Sequence, residues 1–191
     1  MNDGVNMIET NKNELLIGLI SDTHVPSRTS KVPSIVIDDF KKRNVDYVFH
    51  LGDFTSYEVY RQFSDIFGEN KIIAILGNMD FDSNLKKKLA ERLEFELFGH
   101  KILMIHGMGG PNMIIKRLIK QLDLANSHYD IIIFGHTHRP VNEKHNGILF
   151  LNPGTTTPID NKFTTISSYG FLKISKDKVE AEIIYLSKNN P

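Results

Sequence analysis

The chain of 191 residues contains no cysteine and no tryptophan. Without cysteine, disulfides and thiolate metal sites are excluded. Charge of neither sign is in excess: 23 lysines and arginines meet 23 aspartates and glutamates, which leaves no electrostatic footprint for nucleic acid or an anionic membrane. Apolar runs long enough to span a bilayer are missing. The polar opening over 1–14 also lacks the apolar centre of a signal peptide. A soluble, cytoplasmic protein is the expectation. With 40% hydrophobic residues the chain can build a sizeable core, and its length suits one domain, since single domains commonly reach roughly 200 residues. A flexible leader over 1–14 and a single domain over 15–187 are expected.

Apolar periodicity sets the order of elements. Leu15 to Ser21, Val45 to Leu51 and Ile72 to Leu76 read as buried strands. Between them Val32, Ile35, Val36 and Phe40, then Tyr57, Tyr60, Phe63 and Phe67, mark helices at the 3.6-residue period. A β-α-β-α-β opening of this kind implies parallel strands. The Lys-rich segment Leu85 to Leu93 predicts a short helix. The pattern then turns to hairpins. Phe95 to Phe98 faces Lys101 to Ile105 across Gly99-His100, and Val141 to His145 faces Ile148 to Leu151 across Asn146-Gly147. Tyr169 to Ile174 faces Val179 to Leu186. Between the first two hairpins, Met113 to Leu124 predicts a helix with Met113, Ile114, Leu118 and Leu122 inward, and Ile131 to Phe134 a buried strand. The sum is an α/β chain with two mixed sheets and helices outside.

Five of these strands end in residues able to bind a cation: Asp22 and His24, Asp53, Asn78, His106, and His136 with His138. Glycine stands beside four of the five. In open α/β sheets, sites form at the carboxyl ends of strands, so the recurrence carries weight that no single residue would. Alone, Asp22 and Asp53 read as turn or cap residues, Asn78 as a left-handed turn residue, and His106 as a hydrogen-bonded core histidine. Together, two aspartates, an asparagine and four histidines suit borderline divalent ions: Mn, Fe, Ni, Co or Zn. Seven donors exceed one tetrahedral zinc. They suffice for two ions if a carboxylate bridges them, for which Asp53 is the candidate. Paired cations favour in-line displacement at phosphorus, with water as the source of the nucleophile. Two carboxylates against two dications leave the site positive, which attracts a phosphate.

Asp22-x-His24, Gly52-Asp53, Gly77-Asn78-x-Asp80, His106-Gly107 and Gly135-His136-Thr137-His138, in this order, resemble the calcineurin-like metallophosphoesterase superfamily. The short length, the Ser21-Asp22-Thr23-His24 start and Asn152-Pro153-Gly154-Thr155 are similar to its small YfcE-type phosphodiesterases. The resemblance implies a four-layer α/β/β/α sandwich of two mixed sheets flanked by helices. It implies that Asp22, His24 and His138 hold one metal, that Asn78, His106 and His136 hold the other, and that Asp53 bridges them. Two divalent ions, Mn foremost, would be the cofactors. Asn78, Asp53, His106 and Asp80 would carry catalysis on a small phosphoester, and a homodimer is compatible with it. One position departs from most of the superfamily, where a histidine after the asparagine is thought to protonate the leaving group. Here Met79 stands there, and a thioether cannot donate a proton. Small YfcE-type members commonly lack that histidine too.

Several residues have two readings. Asp80 serves equally as a hydrogen-bonding support or as a cap for the segment that follows. Arg139 reads first as a surface arginine and second as a phosphate contact. His50 is expected to be structural, Asn152 to Thr155 to shape a turn near the site, and His100, His128 and His145 receive no role. Other functions remain open: a phosphomonoesterase, a nucleotide pyrophosphatase, or a scaffold like the retromer subunit that shares this fold.

Overall fold

The computed structural model describes residues 8, 10–124, 128–157 and 166–187. In chain order the first half runs β1 (Glu14–Ile20), α1 (Ser34–Lys42), β2 (Tyr47–His50), α2 (Tyr57–Phe67), β3 (Ile72–Ala74) and α3 (Ser83–Lys88). The second runs β4 (Arg92–Leu97), β5 (His100–Ile105), α4 (Ile114–Gln121), β6 (Ile131–Phe134), β7 (Val141–His145), β8 (Ile148–Asn152), β9 (Ser167–Ser175) and β10 (Val179–Leu186). Two five-stranded mixed sheets result, in the orders β10-β9-β1-β2-β3 and β4-β5-β6-β8-β7. Strands β1, β2 and β3 are mutually parallel in one sheet, and β5, β6 and β8 in the other.

Side-chain alternation explains the layers. Leu15, Ile17 and Leu19 of β1 point into a core shared with Ile102, Met104, Ile131 and Ile133 of the opposite sheet. The outer face of the first sheet packs Val48, Ile72 and Ala74 against Val36, Phe40, Val59, Phe63 and Leu85 of the first three helices. On the far side, Leu103, Ile132, Phe134 and Phe150 meet Ile114 and Leu118 of α4. The continuous run Ile131–Phe134 is buried throughout, because its odd residues face the other sheet and its even ones face α4. The architecture is therefore a four-layer α/β/β/α sandwich, as expected.

Two helices differ from the reading. The helix expected over Leu85 to Leu93 ends at Lys88. Ala90 instead bridges Ile75, its carbonyl accepts from the Leu76 N–H, and Arg92 opens β4. Sheet pairing wins there over helical propensity. The helix expected over Met113 to Leu124 spans Ile114–Gln121, with Leu122 as its C-cap. Met113 takes a left-handed backbone, φ 57°, and leaves its side chain exposed rather than inward. Of the leader expected over 1–14, residues 1–7 and 9 lie outside the described residues. Ile8 is buried in the inter-sheet core, and Glu14 pairs with Ser175.

Phe40 shows what holds the helical layer. It is fully buried, edge-on to Tyr169 and Phe171 at 5.7 and 5.5 Å between ring centroids. Phe40→Ala is expected to cost about 3–5 kcal/mol in urea unfolding, the usual cost of emptying a large aromatic site. A loss under 1 kcal/mol would show that the layer is not packed this way.

Candidate metal centre

Parallel strands place their carboxyl ends together, and here both sheets do so at one rim. The loop after β1 carries Asp22 and His24, the loop after β2 carries Asp53, and the loop after β3 carries Asn78. From the other sheet, His106 follows β5, and His136 and His138 follow β6. Main-chain bonds lock the loops to each other: Asp22 N–H donates to the Gly52 carbonyl, His24 N–H to the Asp53 carbonyl, and Gly135 N–H to the His106 carbonyl. The approach is so close that side chains are impossible at two glycines. A Cβ on Gly77 would lie 2.2 Å from Asp53 Oδ1, and one on Gly135 2.1 Å from Ser21 Oγ.

The donors converge. One oxygen or nitrogen from each of Asp22, His24, Asp53 and His138 lies within 4.8 Å of the others, the first three residues buried and His138 half-buried. His138 Nε2 is 3.1 Å from Asp22 Oδ1 and 3.2 Å from His24 Nε2. Two ring nitrogens that close need a proton or a cation between them. Asp53 reaches both ways, with Oδ2 3.6 Å from His24 Nε2 and Oδ1 3.4 Å from His106 Nε2. On the second side, the His136 ring donates from Nδ1 to Asn78 Oδ1 at 2.8 Å, and the His106 and His136 rings sit 5.2 Å apart edge to face. All seven candidates thus form one contiguous group.

Three of their buried atoms have no hydrogen-bond partner: Asp22 Oδ1, His24 Nδ1 and His106 Nε2. Orphaned polar atoms are costly, roughly 1–3 kcal/mol each, and a cation would relieve at least the oxygen and Nε2 that face the cluster. The His106 ring is oriented by Nδ1–H, which donates to the Leu51 carbonyl at 2.6 Å and leaves Nε2 facing the carboxylates.

Charge follows burial and neighbours. Burial alone would raise Asp22, but His138 and His106 outweigh it and hold the carboxyl at about 2. Asp53 is likewise lowered, by His106 and by the Met79 N–H, against the pull of burial. Burial lowers His24 to about 4 and also lowers His136, so both rings are neutral and free to ligate near pH 7. His106 goes the other way: burial opposes its charge, yet Asp53 and Asp22 overcome it and push the ring up to about 9.

Asp80 is buried, and its two oxygens are spent on main chain. Oδ2 accepts from Asp53 N–H at 2.9 Å and Gly77 N–H at 2.7 Å, and Oδ1 accepts from Thr55 N–H at 2.8 Å. It ties together the loops that carry Asp53 and Asn78. The cap of α3 is Asp82, not Asp80. His50 is stacked on Phe54 and bonded to Thr23 and to the Gly52 N–H. Arg139 is exposed. Four supports escaped the sequence reading. Ser21 donates to Asp22 Oδ2, the Met79 N–H donates to Asp53 Oδ1 at 2.7 Å, Thr155 Oγ1 donates to the Asp22 carbonyl, and Thr157 Oγ1 donates to the Thr23 carbonyl. Asn152 ties its turn to the Gly135 carbonyl and to Thr137. The Ser-Asp-Thr-His and Asn-Pro-Gly-Thr runs were the visible signal for Ser21, Asn152 and Thr155, and nothing in the sequence marked the Met79 N–H or Thr157.

Comparison with known proteins gives the family and the fold. The model of the calcineurin-like phosphoesterase superfamily domain matches residues 15–177. A probable metallophosphoesterase of Methanocaldococcus jannaschii is 34% identical over 175 residues, 89% of this chain and 81% of that protein. A phosphodiesterase of the same organism is 30% identical over 150 residues, 72% of this chain and 82% of its own. Among solved structures, an archaeal phosphodiesterase is similar with a TM-score of 0.67 at 27% identity, covering 90% of this chain and 100% of that one. Vacuolar protein sorting 29 of Cryptosporidium parvum shares the fold, with a TM-score of 0.69 at 22% identity over 93% of this chain and 100% of its own. The chain belongs to the calcineurin-like phosphoesterase superfamily, a family of metal-dependent hydrolases.

The raised His106 sets a pH dependence. Below about 9 the metal-free ring carries a proton, which a cation bound at Nε2 would have to displace. Binding of Mn at pH 7 should therefore release about one proton, and affinity should climb with pH toward 9. Titration calorimetry in buffers of different ionisation enthalpy reads both. In the metal-free protein the same shift stabilises the fold below the ordinary histidine value of 6.5 and is lost as pH rises through about 9. Affinity independent of pH between 6 and 9 would refute it.

Proposed function

We propose that this chain is a phosphodiesterase with a dinuclear centre, in which Asp22, His24 and His138 hold one divalent cation, Asn78, His106 and His136 hold the other, and Asp53 bridges. The observation that carries the reading is the Asp53 carboxylate, whose two oxygens face opposite halves of the donor group, 3.6 Å from His24 and 3.4 Å from His106. Neutral His24 and His136, low carboxylates and the orphaned Asp22 Oδ1 and His106 Nε2 are what a cation site needs. When bound, two such ions would supply Lewis acidity, easing deprotonation of the attacking water and offsetting phosphoryl charge. With no thiolate in the set, Mn, Ni, Fe, Co and Zn all suit it, and Mn is the first choice.

The protein's own residues account for the rest. Buried carboxylates fixed by main-chain N–H groups keep the donors in place, so little reorganisation accompanies catalysis. Hydrolysis breaks one P–O bond, forms another to the water oxygen, and returns a proton to the departing alcohol. The Met79 side chain cannot supply that proton. Its contribution is the backbone N–H that holds Asp53. The leaving oxygen must therefore be protonated by water or be a good leaving group already. Diesters of acidic alcohols are the favoured substrates, and the 30% identical phosphodiesterase supports that preference over monoesters or pyrophosphates. The likeness to vacuolar protein sorting 29 supports a protein-interaction scaffold through fold alone, whereas here all seven donor positions are filled. We further infer a cytoplasmic protein acting on a small substrate. Among the described residues no helix is long and apolar enough to cross a membrane.

Two measurements test the reading. Metal-loaded protein should hydrolyse an activated diester, such as bis(p-nitrophenyl) phosphate, in Mn or Ni faster than the matching monoester, and Asp53→Asn should abolish turnover. Retained full activity in that variant, or inactivity of the metal-replete protein on both esters, overturns it. Met79→His should raise kcat on a diester with a poor leaving group, by up to about 10²-fold if the ring acts as a general acid. No gain there removes the explanation given for Met79.

A further inference from the structure

Beside the donor group lies a cavity of about 420 Å³ that shares Asn78 and His106 with it as one wall. The other walls are Leu76, Ile105, Met108, Leu118, Leu122 and Gln121. Its volume lies within the range of ligand pockets, about 300–1,000 Å³. An apolar cavity of about 150 Å³ already admits benzene, so one or two fused rings fit here. The polar groups at its edge argue against a charged occupant. The Arg92 guanidinium is committed to Glu94 at 2.7 Å and to the Tyr129 hydroxyl at 2.7 Å, and Glu91 beside it would repel a further phosphate. Met108 is 56% exposed although apolar. Its thioether is the soft, adaptable side chain that makes favourable contacts with ring edges.

The wall is prebuilt. Met108 lies in the glycine-rich loop after His106, and Arg117 of α4 grips that loop by three carbonyls. Nη1 donates to Met108 and Gly110 at 3.1 and 2.8 Å, and Nη2 donates to Asn112 at 3.1 Å. Gln121 adds a contact from its side-chain nitrogen to the Met108 sulfur at 2.9 Å. A loop held this way loses little freedom on binding a ligand.

We propose that this cavity is the specificity pocket of the enzyme and receives an uncharged, planar organic arm of the phosphodiester while the phosphoryl group sits at the donors. This rests on the phosphodiesterase reading and adds to it the class of substrate: a diester bearing an aryl or similar flat ring system, rather than a glycerol-like or polyphosphate arm. Met108, Leu122 and Gln121 determine the choice.

The test uses Mn-loaded protein and two diester analogues of equal charge, methyl phenylphosphonate and methyl methylphosphonate, whose phosphorus–carbon bonds resist hydrolysis and whose remaining ester has methoxide, a poor leaving group. Calorimetry should give a phenyl analogue bound at least tenfold more tightly. Gln121→Trp, at an exposed position on the pocket wall, should bring the ratio of the two affinities to about one, and Met108→Ala should lower it several-fold. The ratio is read within each protein, so partial loss of folding or metal affects both ligands alike. A ratio near one in the unaltered protein, or a ratio untouched by either substitution, overturns the proposal. The same protein assayed on bis(p-nitrophenyl) phosphate separates the two failures. Turnover without phenyl preference sinks the pocket alone, leaving its groove to a peptide or another occupant. Absent turnover with neither analogue bound sinks the phosphodiesterase reading as well.

Discussion

Three buried carboxylates, each gripped by the main chain of a different loop, are what the rim depends on. Asp22 accepts from His136 N–H, Asp53 from Met79 N–H, and Asp80 from the N–H groups of Asp53, Thr55 and Gly77. A buried charge that is not fully hydrogen-bonded is among the most expensive things a fold can hold. Each aspartate therefore obliges a neighbouring loop to present its backbone at one place. The link from Asp22 to His136 crosses between the two sheets, and so does the link from His106 Nδ1 to the Leu51 carbonyl. The relative placement of the sheets and the geometry of the donors are thereby one and the same constraint.

Much of this was legible because it is written in residue type. Alternation in Leu15, Ile17 and Leu19, the continuous Ile131–Phe134 run and the Asn146-Gly147 turn mark strands and a hairpin through local physics. The donors were visible as Asp, Asn and His after apolar runs. What stayed hidden was main chain. Met79 looks like a residue that lost a function, yet its N–H fixes Asp53 whatever its side chain is. Asp80 could be read as a cap because a carboxylate before a helix usually is one, and only the folded loops show Asp82 taking that place. Met113 carries the helical period but sits where the backbone turns left-handed, which periodicity cannot report. The extended chain from Leu89 onward follows from pairing with β3's continuation, a long-range event that ends the helix just after its three consecutive lysines.

The comparison with vacuolar protein sorting 29 makes a general point about where function resides. Two sheets packed at this spacing are shared at 22% identity, and the shape says nothing about hydrolysis. What bears on the hydrolase reading is chemistry at a few positions of this chain: two carboxylates held ionised, two imidazoles with burial-lowered pKa, and one imidazole raised by its carboxylate neighbours. The fold supplies only the common rim on which such groups can be mounted.

The left-handed backbone at the rim has a cost of its own. Asp22, His24, Asp53, His136 and His138 all have positive φ, between 49° and 68°. Non-glycine residues in that region are tolerated at about 1 kcal/mol or more each, with Asn, Asp and His the least penalised. Exchanging any one of them for glycine would relax the chain while deleting a donor. Stability and donor chemistry consequently pull in opposite directions at these five positions.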